Sequence, residues 1–220
     1  MPEMNLLDAY PRIKRNIGAR AAFKDRTPEN RLIAKKFGLE YFDGTRDQGY
    51  GGYFYDGRWK AVARRIIDYY KLPEGARVLD VGSGKGFLLY DFQQLLPGVR
   101  VAGIDLSQYG LRHTIPSVKP FCVMANATHL PFPDKSFDLV VSINVAHNLP
   151  RELCVRALRE MERVSKKHKY VQVDSYRNEQ EKVNLENWQL TAELIYSTDE
   201  WISLFKEVGY TGEYYWTITE

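Results

Sequence analysis

The chain is poor in cysteine. Only two occur in 220 residues, Cys122 and Cys154, too few for a disulfide framework or a cysteine-rich zinc site. No arrangement of His, Cys and carboxylates reads as a metal centre. Nothing approaches the ~18 consecutive apolar residues of a membrane span. The opening residues, Met1-Pro2-Glu3-Met4-Asn5-Leu6-Leu7-Asp8, lack the charged start and apolar stretch of a secretory leader. A reduced, cytoplasmic protein with no membrane association is therefore expected. A large charge excess is also missing: 31 Lys and Arg against 28 Asp and Glu leave a formal net charge of +3, which solvated lysines alone can produce. Arg12, Lys14, Arg15 and Arg20 form a thin basic footprint near the start, and no nucleic-acid partner is expected from it.

What is present is ordinary in bulk and unusual in one place. Hydrophobic residues make up 44% and charged residues 27%, values of a globular chain and not of a disordered one. Fifteen tyrosines and four tryptophans occur, many crowded between residues 41 and 59.

From about residue 58 the pattern alternates. Trp59, Val62, Ala63, Ile66, Ile67 and Tyr70 trace one face of a helix that Pro73-Glu74-Gly75 ends. Short apolar runs fit strands at 77–81, 100–105, 121–124, 137–143 and 170–174, with two more at 188–197 and 213–219. Helices fit the intervals from Phe87 to about Leu96, Pro150 to Val164, and Asp199 to Val208. The lysines at 166, 167 and 169 sit where a helix C-terminus favours cations. Strand and helix alternating at this spacing predict an α/β domain: a seven-stranded, mostly parallel sheet with helices on both faces.

The N-terminal quarter is different. Thr27-Pro28 followed by Glu29 to Phe37 and then Gly38 predicts a short capped helix. Beyond it lie Gly44, Gly49, Gly51, Gly52 and Gly57, interleaved with Tyr41, Phe42, Tyr50, Tyr53, Phe54 and Tyr55. The division expected is a cap over residues 1–57 and a ligand-binding domain over residues 58–220.

The run Val78-Leu79-Asp80-Val81-Gly82-Ser83-Gly84-Lys85-Gly86 lies where a strand becomes a helix, and glycine there lets a ligand approach the backbone. Its third glycine comes one residue too early for the dinucleotide fingerprint, and no phosphate-loop motif exists. Asp80-x-Gly82-x-Gly84-x-Gly86 after a hydrophobic strand resembles the first motif of the class I S-adenosylmethionine-dependent methyltransferases, which have a Rossmann-like fold. The resemblance extends from about Ala76 to Val164, including Leu130-Pro131-Phe132-Pro133-Asp134-Lys135-Ser136-Phe137-Asp138 before the fourth strand.

The resemblance implies S-adenosylmethionine as cofactor and a set of contacts to it. Asp80 is expected near its amino group, with the Gly82–Gly84 backbone and Gly86 along the methionine part. Asp105, with Leu106 beside it, is expected to hold both ribose hydroxyls, since a carboxylate offers two acceptor oxygens. Asn126 stands where the family usually has Asp, its amide oxygen accepting from the adenine amino group and the Ala127 N–H facing a ring nitrogen. Lys85 reads most simply as a solvated loop lysine, with the ligand's carboxylate as the other candidate partner.

In open parallel sheets the ligand crevice lies beyond the strand C-termini, so residues after the fourth and fifth strands face the acceptor. Asn144 is a candidate for both cofactor contact and catalysis; a turn or cap is its alternative. His147 is either a general base or a cap on the following turn. Tyr176 either reaches the cavity or packs. Tyr50, Tyr53 and Tyr55 read either as a mobile aromatic lid on glycine hinges, because aromatic faces stabilise a sulfonium cation, or as a loop packing its rings on the first helix.

The function expected is methyl transfer from S-adenosylmethionine to a small-molecule acceptor, by a monomer or homodimer. The short core without insertions is similar to methyltransferases of surface-polysaccharide and natural-product pathways. The alternative keeps the ligand and changes the reaction: its amine attacks its own γ-carbon, giving azetidine-2-carboxylate and methylthioadenosine.

Overall fold

A computed structural model describes residues 1–11 and 26–219; the basic footprint at Arg12, Lys14, Arg15 and Arg20 lies outside them. Six strands form one sheet: β1 (Arg77–Val81), β2 (Arg100–Asp105), β3 (Cys122–Met124), β4 (Phe137–Ile143), β5 (Ser165–Ser175) and β6 (Glu213–Ile218), in the order β3-β2-β1-β4-β5-β6. All five pairings are parallel.

The centre of the sheet is buried on both sides, which is why its strands read as near-continuous apolar runs rather than alternating ones. Along β1, Val78 faces a core shared with α3 (Trp59–Tyr70) and α4 (Phe87–Leu95), through Val62, Ile66, Leu89 and Phe92. Its neighbour Leu79 faces the opposite core, built on α6 (Arg151–Val164) and α8 (Thr198–Val208) through Cys154, Leu158, Trp201 and Phe205. Successive side chains of a strand point to opposite faces, so one strand anchors two layers. The chain runs outward from β1 to β2 and β3, then returns to β4 on the other side of β1. The sheet therefore reverses its order between β1 and β4, and a crevice opens beyond their C-termini.

The seventh expected strand is absent. Residues 188–197 begin as the last residue of α7 (Glu179–Trp188) and continue as irregular chain. Apolar Leu190, Ala192 and Leu194 alternate with polar residues, which produces a strand-like period in the sequence, although Gln189 and Thr191 are buried as well. Their backbone bonds go elsewhere: Glu193 and Leu194 N–H both donate to the His147 carbonyl, at 2.9 and 3.0 Å. With β4 and β6 on its two sides, β5 has no edge for this segment, whose one pairing is an isolated parallel bridge between Ser197 and Tyr176. The helix α7 left little trace in the sequence because only Leu185 of it is buried. The lysines 166, 167 and 169 also move: α6 ends at Val164, and they lie on β5, where Lys169 is buried against Glu162 and Thr211.

The N-terminal residues close the β6 edge. Met4 N–H donates to the Tyr214 carbonyl at 2.9 Å, and Glu3 pairs in parallel with Tyr214. Leu6 is fully buried and Tyr10 packs edge-on against Trp59 at 5.0 Å. The capped helix is α1 (Pro28–Ala34), with Thr27 accepting from Asn30 N–H. It stops earlier than expected because Phe37 takes a left-handed φ of 49°, and a one-turn helix α2 (Leu39–Asp43) follows.

Candidate active site

Strand β1 delivers Asp80 to the floor of the crevice and Gly82 to its turn. Both Gly82 and Ser83 N–H donate to the Ile104 carbonyl, at 2.8 and 2.9 Å, so the glycine loop is stitched to β2. Two of its glycines answer definite demands. Gly82 has a φ of 86°, and a Cβ there would overlap Val145, which comes across from the end of β4. At Gly84 the demand is the left-handed backbone, φ 53°; a Cβ there would make ordinary contacts with the Phe42 ring at 3.5 Å and Tyr53 at 3.7 Å.

Asp105, at the end of β2, holds the far side of the loop. Its Oδ2 accepts from Gly84 N–H and its Oδ1 from Ser107 N–H, each at 2.7 Å. Burial pushes its carboxyl above the usual range, against those backbone donors. Asp80 is 5% exposed, and burial, with the charge of Asp105 second, pushes its carboxyl up to about 7. Leu106 beside Asp105 is 52% exposed, an apolar side chain available to a flat ligand surface. Asn126 forms an Asx turn: its Oδ1 accepts from both Thr128 N–H and Thr128 Oγ1, at 3.0 and 2.9 Å. That oxygen's two lone pairs are used within the turn, so accepting from an adenine amino group requires Thr128 to let go. Ala127 is buried next to it.

The acceptor side is built from the ends of β4 and β5. Asn144 occupies a left-handed conformation, φ 58°, which is costly for a residue with a Cβ and is common at functional positions. Its Oδ1 accepts from Thr217 Oγ1 at 3.0 Å. His147 is buried, and both ring nitrogens address Asp174. Nδ1 accepts from the Asp174 N–H at 2.9 Å, and Nε2 lies 3.4 Å from the Asp174 carboxylate. Burial holds its pKa below the ordinary histidine value, against the pull of Asp174. A neutral ring with its lone pair turned into the backbone is built to hold Asp174, not to take a proton from the crevice. Tyr176 follows β5 directly, and its hydroxyl lies 3.5 Å from Glu200 Oε2 at the start of α8.

Above the crevice lies the aromatic segment. Tyr50 stacks on Tyr53 at 4.5 Å, and Tyr53 stacks on Phe87 at 4.7 Å. Burial, first among the causes, pushes the hydroxyls of Tyr41 and Tyr53 well up and that of Tyr50 up. The charge of Asp174 reaches Tyr41 and Tyr50, that of Asp105 reaches Tyr50, and that of Asp80 reaches Tyr53. The geometry of the segment is set by ring packing, with Tyr41 edge-on to Tyr50 at 5.0 Å and Phe42 against Tyr53 at 5.8 Å. The Tyr55 hydroxyl donates to Asp91 on α4 at 2.6 Å. Tyr41 carries no local signal that separates it from the other tyrosines, and the sequence had not singled it out.

The solvated reading of Lys85 is overturned. It is 6% exposed, and its Nζ reaches Asp43 Oδ1 and Oδ2 at 2.7 and 2.6 Å and the Tyr53 carbonyl at 2.7 Å. Asp43 also accepts from Tyr53 N–H at 3.0 Å and Tyr109 hydroxyl at 2.7 Å. Burial raises the Asp43 carboxyl, but those donors outweigh it and leave the pKa below the usual range.

The glycines of the segment serve close winding as well as turns. A Cβ at Gly49 would overlap the Tyr41 carbonyl oxygen that accepts the Tyr50 N–H at 2.8 Å. Gly49→Ala is therefore expected to separate Tyr41 from Tyr50 and to weaken ligand binding by roughly tenfold, the ~1.4 kcal/mol of one or two lost contacts. Melting of the sheet should shift by only a few degrees. Calorimetric titration and a thermal melt of the same sample check both halves.

Comparisons with known proteins agree with this geometry. Residues 79–173 match the family model described as a methyltransferase domain. A fatty-acid O-methyltransferase of Mycolicibacterium smegmatis is 36% identical over 83 residues, which are 36% of this chain and 30% of that protein. The chain matches less than half the length of the curated relatives it resembles. Among solved structures, the YcgJ protein of Bacillus subtilis superposes with a TM-score of 0.55 at 23% identity, covering 66% of each chain. A SAM-dependent methyltransferase of Aquifex aeolicus gives 0.50 at 20% identity, covering 86% of this chain and 87% of that one. These structural likenesses speak for the fold.

Proposed function

This chain belongs to the class I S-adenosylmethionine-dependent methyltransferase family, and from that premise we propose that it methylates a small-molecule acceptor beneath the aromatic segment. The observation that carries the proposal is the glycine loop held between strand-end carboxylates: Asp80 lies near the end of β1, and Asp105 at the end of β2 accepts from Gly84 and Ser107 N–H at 2.7 Å. The two carboxylates suit a cationic ligand lying along the loop, with Phe42 and Tyr53 packed against Gly84.

When bound, S-adenosylmethionine supplies a methyl group activated on a sulfonium cation. The chain's own residues position, desolvate and hold. Asp80 and Asp105 hold the amine and the ribose hydroxyls, and Leu106 and Ala127 flank the adenine. Tyr53 is stacked against both Tyr50 and Phe87, so these rings act as a wall that excludes water and strengthens the charge contacts inside. Orientation of the acceptor within this enclosure supplies most of the acceleration of a simple displacement. Where the acceptor is a hydroxyl, its proton goes to the Asp174 carboxylate, which His147 holds in place through the bond to its backbone N–H.

A second reading is the internal cyclisation to azetidine-2-carboxylate. Asp80 favours it, because a carboxyl with its pKa raised to about 7 is suited to take the proton from an ammonium group beside it. One experiment separates the two. The protein is incubated with S-adenosylmethionine, with and without candidate hydroxy and amino acceptors, and the adenosyl product is identified. Methyl transfer requires S-adenosylhomocysteine that appears only with an acceptor. Methylthioadenosine accumulating without acceptor, above the spontaneous rate, would replace methyl transfer with cyclisation.

A further inference from the structure

We infer that Lys85 is a positioning residue: it latches the aromatic segment onto the ligand loop, with Asp43 as its catch. The inference rests on the glycine loop being the S-adenosylmethionine cradle, and its geometry is independent of which reaction follows.

An ammonium group has three protons to donate. Here all three have acceptors on the segment above: Asp43 Oδ1, Asp43 Oδ2 and the Tyr53 carbonyl. None is left for a ligand carboxylate, so Lys85 acts on the ligand only through what it holds. Asp43 in turn binds Tyr53 N–H and the Tyr109 hydroxyl. The rings of Phe42 and Tyr109 flank the Lys85 ammonium at 5.9 and 5.7 Å. The pair is therefore largely shielded, with Lys85 and Asp43 side chains 8% and 30% exposed. A shielded, multiply bonded pair of this kind holds its geometry far better than a surface ion pair, which contributes little.

The placement gives the pair a specific consequence. Lys85 lies between Gly84 and Gly86, inside the loop that receives the ligand. Residues 42 and 53, which cover Gly84, directly adjoin or contain the groups that Lys85 binds. Any shift of the loop on ligand entry is thus transmitted to Phe42 and Tyr53 through one side chain. Release of the latch opens the crevice; re-formation sets Tyr53 back against Phe87.

The variants are Lys85→Met, Asp43→Asn, the double variant, and Tyr109→Phe as a milder change that removes one bond to Asp43. Hydrogen exchange on the ligand-free protein reads the latch alone, and titration with S-adenosylmethionine reads the cradle. Each single variant is expected to speed exchange across residues 42–53 by tenfold or more while leaving β1, β4 and α4 at wild-type rates. Each should weaken binding about tenfold, the double variant no more than the worse single one, and Tyr109→Phe two- to threefold. Wild-type exchange over 42–53 in both single variants would overturn the latch, as would single effects that multiply in the double. If exchange changes as expected while the wild-type protein fails to bind S-adenosylmethionine, the latch stands and the cradle assignment falls.

Discussion

Asp105→Ala is expected to weaken S-adenosylmethionine binding by about a hundredfold. The carboxylate at the end of β2 already binds Gly84 and Ser107 N–H, and each oxygen retains a lone pair for a ribose hydroxyl. Hydrogen bonds to a charged acceptor contribute roughly 1.5–3 kcal/mol each. Losing the pair, together with the tether that shapes the glycine loop, amounts to about 3 kcal/mol. Asp105→Asn keeps one acceptor oxygen without the charge and should lose about tenfold. Calorimetry on variants with wild-type circular dichroism is the check. Full affinity in folded Asp105→Ala would remove this residue from the site and with it the assumed direction of the ligand along the loop.

Asp80→Asn should move stability and binding in opposite directions. Burial, reinforced by the charge of Asp105, raises the Asp80 carboxyl from 3.8 to about 7 in the folded protein. Below the unfolded value the group is protonated in both states and contributes nothing. Between the two values the unfolded chain ionises while the folded one stays protonated, so stability falls as pH rises. Above about 7 the penalty is complete, on the order of 4 kcal/mol for a shift of ~3 units. Asparagine removes it. At pH 8 the variant should melt higher than wild type, by on the order of 5–10 °C, and the gap should shrink as pH is lowered toward 4. Binding should fall sharply, because a cationic amine loses its carboxylate. In the wild type, affinity should rise between pH 6 and 8 as Asp80 gives up its proton to accommodate the cation. Equal melting temperatures at pH 8 would show that burial imposes no penalty on the ionised Asp80. Such a trade of stability for a charged ligand is what a binding carboxylate on an apolar floor entails.

The parts of this protein that could be read from the chain are those governed by neighbours in sequence. The six strands β1 to β6 were marked by short apolar runs between turn residues, β5 only in its second half. The Gly82–Gly86 turn was legible because only glycine tolerates that backbone with so little room above it. The carboxylates Asp80 and Asp105 were legible because each ends a strand whose place in the order was already evident. The tertiary structure decided the rest. The alternation of apolar Leu190, Ala192 and Leu194 with polar residues imitates a strand, and only the tertiary structure shows that β5 is already flanked by β4 and β6 and that Glu193 and Leu194 N–H go to the His147 carbonyl. Whether His147 faces the crevice or Asp174 depends on a bond to a residue 27 positions away. Lys85 looks like any loop lysine until Asp43, 42 residues earlier, arrives beside it. Local rules restrict a residue's backbone and its preferred face. They carry no record of which distant group will meet its side chain, and in this protein those meetings set the roles of Tyr41, Asp43, Lys85 and His147.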